Sequence, residues 1–257
     1  MKERGEGSII TATATLDRKT HLERSAFKAQ RPTAPQGRLP AVPAAVAAIP
    51  AADTRIHPLI RLIEVLVASV VLIATAPLML VIAVIIRVGT PGPALFRQKR
   101  LGLNGQWFDF VKFRTLYHDA RTRFPHLYAY DYDDSELQEL KFKVPNDPRV
   151  TPQGEWLRRS TLDELPNFWS VLKGDMALVG PRPEIPEMLP YYRGEMLEKL
   201  SVRPGITGAA QVSGRGRLGF YETVELDVQY VRQRSLGLDL KILLKTVRVC
   251  LFGDGAF

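Results

Sequence analysis

Between Val65 and Ile86 the chain runs VLVASVVLIATAPLMLVIAVII without a charged residue. As a helix, a run of this length spans the roughly 30 Å hydrocarbon core of a bilayer. A helix buried inside a soluble protein rarely goes so far without one polar face, so membrane contact is expected. Two features argue against a simple crossing. Pro77, at the centre, removes a backbone donor and bends a helix. Basic residues flank both ends, Arg55 and Arg61 before and Arg87, Arg97, Lys99 and Arg100 after, so the positive-inside bias gives no orientation. A helix broken at Ala76-Pro77 with both ends in the cytoplasm satisfies both observations, its freed backbone groups served by the Ser69 or Thr75 hydroxyl. The residues alone leave spanning and re-entrant arrangements open.

A formal charge of +8 and a pI near 9.7 point to an anionic partner: nucleic acid, a membrane surface or a phosphorylated substrate. The lone Cys250 excludes a disulfide framework and a thiolate metal site, which fits a reducing compartment. His21, His57, His118 and His126 show no metal-ligand spacing. Residues 1–54 carry no early apolar run, hence no signal peptide is expected. Their mixed charges and PTAPQGRLPAVPAAVAAIPAA stretch read as a disordered tail.

After the turn cluster Gly89–Pro93, Asn104-Gly105 between two apolar stretches signals a β-hairpin. Phe108, Phe110 and Phe113, partly alternating with Asp109 and Lys112, suit a half-buried strand. Arg97, Arg100, Lys112 and Arg114 then form a basic region, suited equally to anionic lipid and to substrate. Residues 117–147 are polar and acidic; Asp131 and Asp133 resemble a DxD metal motif, but a solvated charge run is the simpler reading. Leu162–Lys173 reads as a helix stopped by Gly174. Gly214-Arg-Gly-Arg-Leu-Gly219 matches GxGxxG in letters, yet no buried strand precedes it, so it is discounted. A last helix over Leu238–Val249 aligns Leu240, Leu243, Leu244 and Val247 in one stripe, with core packing preferred over membrane contact.

Asp163-Glu164 has two readings. Locally, Thr161-Leu-Asp-Glu164 is a capping box, with Pro166 tolerable near a helix start. The same helix start is an anion site, to which Arg158, Arg159 and Arg182 add charge. There Asp163 is expected to keep a low pKa and stay ionised. With Mg²⁺ screening a pyrophosphate, the aspartate can attack phosphorus.

Four segments in order carry a resemblance: FRQKRLGLNGQWFDFVKFRTL, NDPRVTPQGEWLRRSTLDELPNFWSVLKGDMALVGPRPE, RPGITGAAQVSGR and ELDVQYVRQRSLGLDLKILLKT. Together they closely resemble the bacterial sugar transferase family, the monotopic polyprenyl-phosphate phosphoglycosyl transferases, over about residues 55–257. The resemblance implies an α+β, helix-rich fold with a small β-hairpin or sheet. It implies a re-entrant membrane helix over 55–88, broken at Ala76-Pro77 where the family has Ser-Pro, and a cytoplasmic catalytic domain over 89–257. Asp163 and Glu164 fall on the family's catalytic dyad. The aspartate would take sugar-1-phosphate from a UDP-sugar, expelling UMP, and pass it to polyprenyl phosphate, usually undecaprenyl phosphate. Mg²⁺ is the implied cofactor, with Asp163 as its ligand. Arg158 matches a phosphate-contacting arginine; Lys112, Arg114, Arg182, Arg203, Gln211 and Arg215 are the further substrate-binding candidates. Ala209-Ala210 stand where many relatives carry a tryptophan. The expected partners are donor, acceptor, lipid bilayer and a second copy in a homodimer, but no nucleic acid, at the cytoplasmic face of the bacterial inner membrane. Two competing readings are an inactive membrane-tethered scaffold and an ordinary glycosyltransferase using Asp131 and Asp133.

Overall fold

The computed structural model describes residues 57–141 and 146–252; the tail expected over 1–54 lies outside them. In chain order the principal elements are α1 (Pro58–Gly89), β1 (Leu95–Leu101), β2 (Trp107–Phe113), α2 (Ala120–Arg123), α3 (Asp134–Glu139), α4 (Pro152–Ser160) and a 3-10 turn (Leu162–Asn167). There follow α5 (Phe168–Lys173), β3 (Ala177–Val179), two 3-10 stretches (Pro186–Tyr191 and Gly194–Ser201), β4 (Gly205–Thr207), α6 (Ala209–Ser213), α7 (Phe220–Gln233) and α8 (Leu236–Phe252). The fold is α+β and helix-rich, with an antiparallel β1–β2 pair and a parallel β3–β4 pair.

The apolar run is α1, which starts on a Pro58 that needs no donor and ends at Gly89. Its 32 residues make a rod of about 48 Å if straight. Among the described residues it is the one helix long and apolar enough to cross a membrane. Helical structure runs through Ala76-Pro77 as one element, where a broken helix was expected. A proline cancels only its own bond, here to the Ile73 carbonyl, so the flanking bonds can carry the helix on. The Thr75 hydroxyl donates to the Val71 carbonyl at 2.7 Å, a different acceptor from the one Pro77 leaves open.

Both ends of α1 seat on the same folded body. Near its start, Arg61 donates to the Val171 and Leu172 carbonyls at the end of α5, each at 2.7 Å. Glu64 is buried in an ion pair with Arg203 at 2.9 Å. Ala68 then joins Phe108, Phe110, Val171 and Met176 in one apolar cluster. Near its end, Ile82 and Ile86 pack with Phe113 and Leu157 in another. Leu66, Val70, Ile73, Leu80, Val84 and Val88 stay exposed. In water that much bare apolar surface is costly; a lipid environment removes the cost.

The hairpin forms with Leu95 opposite Phe113 and Leu101 opposite Trp107, and its tip holds Asn104 and Gly105 at positive φ. This register puts Arg100 and Lys112 on one face and Arg97 and Lys99 on the other. The expected basic region is therefore split, and Lys99 pairs with Asp109, its direct cross-strand partner, at 3.0 Å. In α8 only part of the predicted stripe meets the core. Ile242 is buried with Val179 and Tyr230, with Leu243 partly buried beside them, while Leu240, Leu244 and Val247 face outward. The preference for core packing was mistaken because the buried arc of the helix is centred on Ile242, on the opposite side.

Candidate active site

The 3-10 turn Leu162–Asn167 carries the acid pair, and two anchors fix it. At one end the Asn167 side-chain oxygen, fully buried, accepts from the Val111 N–H of β2 at 3.2 Å. At the other, Thr161 closes α4 with φ 62°, a left-handed conformation rare for a β-branched residue. The capping box expected there does not form. An N-cap residue needs extended backbone, whereas Thr161 is left-handed, makes no capping hydrogen bond and serves as the C-cap of α4. The expected helix is instead the 3-10 turn followed by α5, which stops at Gly174 with φ 93° as read from the sequence.

This geometry drives Asp163 inward, to 6% exposure. Burial pushes its carboxyl above the usual aspartate range, and the adjacent Glu164 charge adds to the shift. The low pKa expected at a helix N-terminus is thus reversed. Lys112, Arg182 and Arg158 act against the rise. Glu164 is held by Arg182, whose guanidinium lies 2.7 Å from its Oε1. That carboxylate raises the Arg182 pKa.

Arg158 comes from α4, whose first turn presses on the end of β2. A Cβ at Gly154 would lie 2.0 Å from the Thr115 carbonyl oxygen, so only glycine allows the approach. One turn later Arg158 Nε donates to the Thr115 hydroxyl at 3.3 Å, with Asp147 at 4.0 Å. Burial lowers its pKa, against the charges of Asp147 and Asp163. Lys112 points from β2 toward the same pair. Burial lowers its ammonium to about 8; Asp163 opposes the fall, while Arg158 and Arg182 deepen it.

One more cation belongs here and was missed as a site residue. Arg100 donates to the Pro183 carbonyl at 3.0 Å, its Nε buried without a partner. Burial and the neighbouring Arg182 bring it down to about 10. The signal lay in the hairpin register, which sets Arg100 and Lys112 on one face. Arg100, Lys112, Arg158 and Arg182 thus surround the two acids of the pair, with Asp147 and Glu184 farther out, a setting that favours an anion with several negative oxygens.

A model of the bacterial sugar transferase family matches residues 56–253. The chain belongs to that family. It is 44% identical over 166 residues to the galactosyl transferase CpsE of Streptococcus agalactiae, covering 64% of this chain and 36% of that one. It is 41% identical over 207 residues to the UDP-glucose:undecaprenyl-phosphate glucose-1-phosphate transferase of Caulobacter vibrioides, covering 77% and 71%. The undecaprenyl-phosphate galactose phosphotransferase of Salmonella typhimurium is 38% identical over 198 residues, covering 77% and 41%. The chain thus spans about two fifths of the length of the Streptococcus and Salmonella relatives.

Not every predicted residue of this family member meets the acid pair. Arg114 is buried and spends its guanidinium on the Pro93, Thr90 and Gly92 carbonyls at 2.7, 3.0 and 3.4 Å, fastening the turn after α1. Arg203 joins Glu64 of α1 to the Met176 carbonyl at 3.1 Å. Gln211 lies on α6, and no hydrogen bond among the described residues links it to the pair. The Arg215 side chain lies outside the described residues. Asp133 caps α3 in a capping box with Glu136, a structural use that accounts for the second acid of the DxD-like stretch.

Proposed function

We propose that the chain transfers a sugar-1-phosphate from a UDP-sugar to polyprenyl phosphate, the first membrane step of an exopolysaccharide or O-antigen type glycan. The carrying observation is the buried Asp163 beside Glu164, facing Lys112, Arg158 and Arg182. The names of the Caulobacter and Salmonella relatives support undecaprenyl phosphate as acceptor, and the Caulobacter name supports a UDP-sugar as donor.

In this reading an Asp163 oxygen attacks the phosphorus that bears the sugar. The bond from that phosphorus to the bridging oxygen breaks, UMP leaves, and the sugar phosphate stays on Asp163 as an acyl phosphate. An oxygen of polyprenyl phosphate then attacks the same phosphorus and releases the carboxylate. Lys112, Arg158 and Arg182 hold the phosphate oxygens and stabilise charge in both steps. The acceptor phosphate, with a second pKa near ~6, is largely ionised at neutral pH. Glu164 therefore acts chiefly by fixing Arg182.

No group of three metal-ligating side chains occurs among the described residues. A cation here must take most of its ligands from substrate and water, as Mg²⁺ does with one or two carboxylates. Asp163 and Glu164 fit that donor set, their mutual repulsion being relieved by a cation. Bound there, Mg²⁺ would supply charge neutralisation of the donor phosphates.

The membrane reading is a monotopic, re-entrant α1 on the cytoplasmic face of the inner membrane. It is supported by the two ends of α1 resting on one polar body, which cannot lie on both sides of a bilayer. Cysteine labelling near residues 45 and 104 in a Cys250→Ser background is expected to find both on the cytoplasmic side; opposite sides would refute it. For the reaction, purified protein with Mg²⁺, labelled UDP-glucose or UDP-galactose and undecaprenyl phosphate is expected to release UMP. Asp163→Asn should lower that rate by about four orders of magnitude, and mass spectrometry should find a phospho-sugar on Asp163. UDP release in place of UMP, or turnover surviving without Asp163, would overturn the mechanism.

A further inference from the structure

Between α6 and the last turns of α8 lies a pocket of about 200 Å³, lined by Gln211, Ser213, Gly214, Arg217, Lys245 and Arg248 among others. None of its three cations is paired with a carboxylate among the described residues. The Gln211 amide is buried in the wall, its oxygen folded against Gly208, and is closed to the pocket. What the pocket offers a ligand is therefore three positive charges, a setting that suits a phosphate group.

The pocket has an apolar neighbour. Leu236, Leu240, Leu244 and Val247 are exposed at helical spacing, so they form one outward stripe along α8. Lys245 and Arg248 each follow a stripe residue and lie beside it. Cations next to an apolar stripe are arranged like side chains that reach from acyl chains to headgroup phosphates. The stripe also belongs to the same packed body as α1. Thr246 of α8 shares a hydrogen bond of 2.7 Å with Thr207 of β4. The chain entering β4 carries Arg203, which holds Glu64 of α1.

We propose that this pocket binds the headgroup of an anionic phospholipid, its phosphate among Arg217, Lys245 and Arg248 and its acyl chains along the α8 stripe. The site is separate in its residues from the acid pair and its cations. It makes α8 a second lipid contact, and one that reads lipid charge, which the apolar face of α1 cannot do.

The test uses the full chain in nanodiscs of equal phosphatidylglycerol and phosphatidylcholine, released into mild detergent and weighed by native mass spectrometry. The wild-type protein is expected to keep one phosphatidylglycerol in preference to phosphatidylcholine. The double variant Lys245→Gln/Arg248→Gln should lose that preference by about 30-fold, with UMP release in pure phosphatidylcholine unchanged. Arg217→Gln, on a separate segment, should lose part of it. Equal retention by wild type and the double variant would overturn the site. Displacement of the lipid by UDP-glucose or by inorganic phosphate would assign the pocket to a water-borne phosphate, and displacement by polyprenyl phosphate to the acceptor; either overturns the proposal. Because the readout is bound lipid, it holds or fails independently of the proposed reaction.

Discussion

Lys199, in the core, and Lys112, half-buried at the acid pair, both stand beside carboxylates, and their proton affinities move in opposite directions. Burial alone would lower the Lys199 ammonium, but Asp227 at 2.9 Å and Glu184 at 3.5 Å overcome it and hold the pKa above its ordinary value. Tyr192 donates to the same Glu184, adding a hydroxyl to this polar group in the core. For Lys112, burial wins: Asp163 and Glu164 are offset by Arg158 and Arg182, and the ammonium falls to about 8. One group sets two carboxylates on one cation, while the other sets four cations around the acid pair. A structural ion cluster meets its cation with carboxylates of its own; a site for a phosphorylated substrate leaves positive charge for the ligand. The two are neighbours, since Glu184 follows Arg182 by two residues and its carbonyl accepts from Leu101 at the end of β1.

The sharpest way to break this contrast is to remove each lysine. Lys199→Met strands Glu184 and Asp227 in the core and is expected to cost about 3–5 kcal/mol of stability. Urea unfolding of the detergent-solubilised protein would measure it. Lys112→Met removes one of the four cations around the acid pair, one whose charge burial disfavours, and should leave the unfolding midpoint within experimental error of wild type or above it. Its cost should appear in turnover, by about a hundredfold or more. If Lys112→Met unfolds the protein and Lys199→Met does not, the assignment of the two clusters is inverted.

A finer test uses pH. In the folded protein the Lys112 charge is present below about 8 and lost above it. If that charge holds phosphate, kcat/KM should fall as pH rises through about 8, since this ratio reports the free enzyme. Lys112→Arg keeps a charge throughout this range. Its alkaline limb should move upward even if the overall rate drops. A limb that stays at the same pH in Lys112→Arg belongs to some other group.

Much of this site was legible in the sequence, and the misses have physical causes. The Asn104-Gly105 tip and the α1 run report local chemistry, so the hairpin and the long apolar helix were both readable. Lys112 and Arg114, two apart, read as parts of one basic region. The strand ends at Phe113, however, and one residue later Arg114 turns to the carbonyls behind α1. Charge and spacing do not reveal where a strand stops. Thr161 had the right residue type for a cap but the wrong backbone, because the chain must reverse there to seat Asn167 on β2. That contact joins residues 56 positions apart. It is also what buries Asp163, so the direction of its pKa shift could not be read from the local motif.

That burial gives the smallest of the expected effects, and the one that most directly separates a functional acid from a structural one. Folding raises the Asp163 pKa above its ordinary 3.8. Below 3.8 the carboxyl is protonated in both the folded and unfolded chains, and its ionisation does not affect stability. As pH rises from 3.8 through the raised folded value, the unfolded chain ionises first, so stability is lost across that window and stays lost at neutral pH. Asp163→Asn carries no such charge. At pH 7 it should therefore unfold at a higher temperature than wild type while losing its turnover, and the gap should close as pH is lowered toward 3.8. Asp227, also buried and raised, has Lys199 as its partner. The same sign applies there, so Asp227→Asn should also unfold at a higher temperature at pH 7, but it should keep its turnover. Thermal scans of the two variants at pH 7 and near pH 4, with the turnover of each, would make the comparison. A lower melting temperature for Asp163→Asn at pH 7 would mean that its carboxylate is paid back by its surrounding cations.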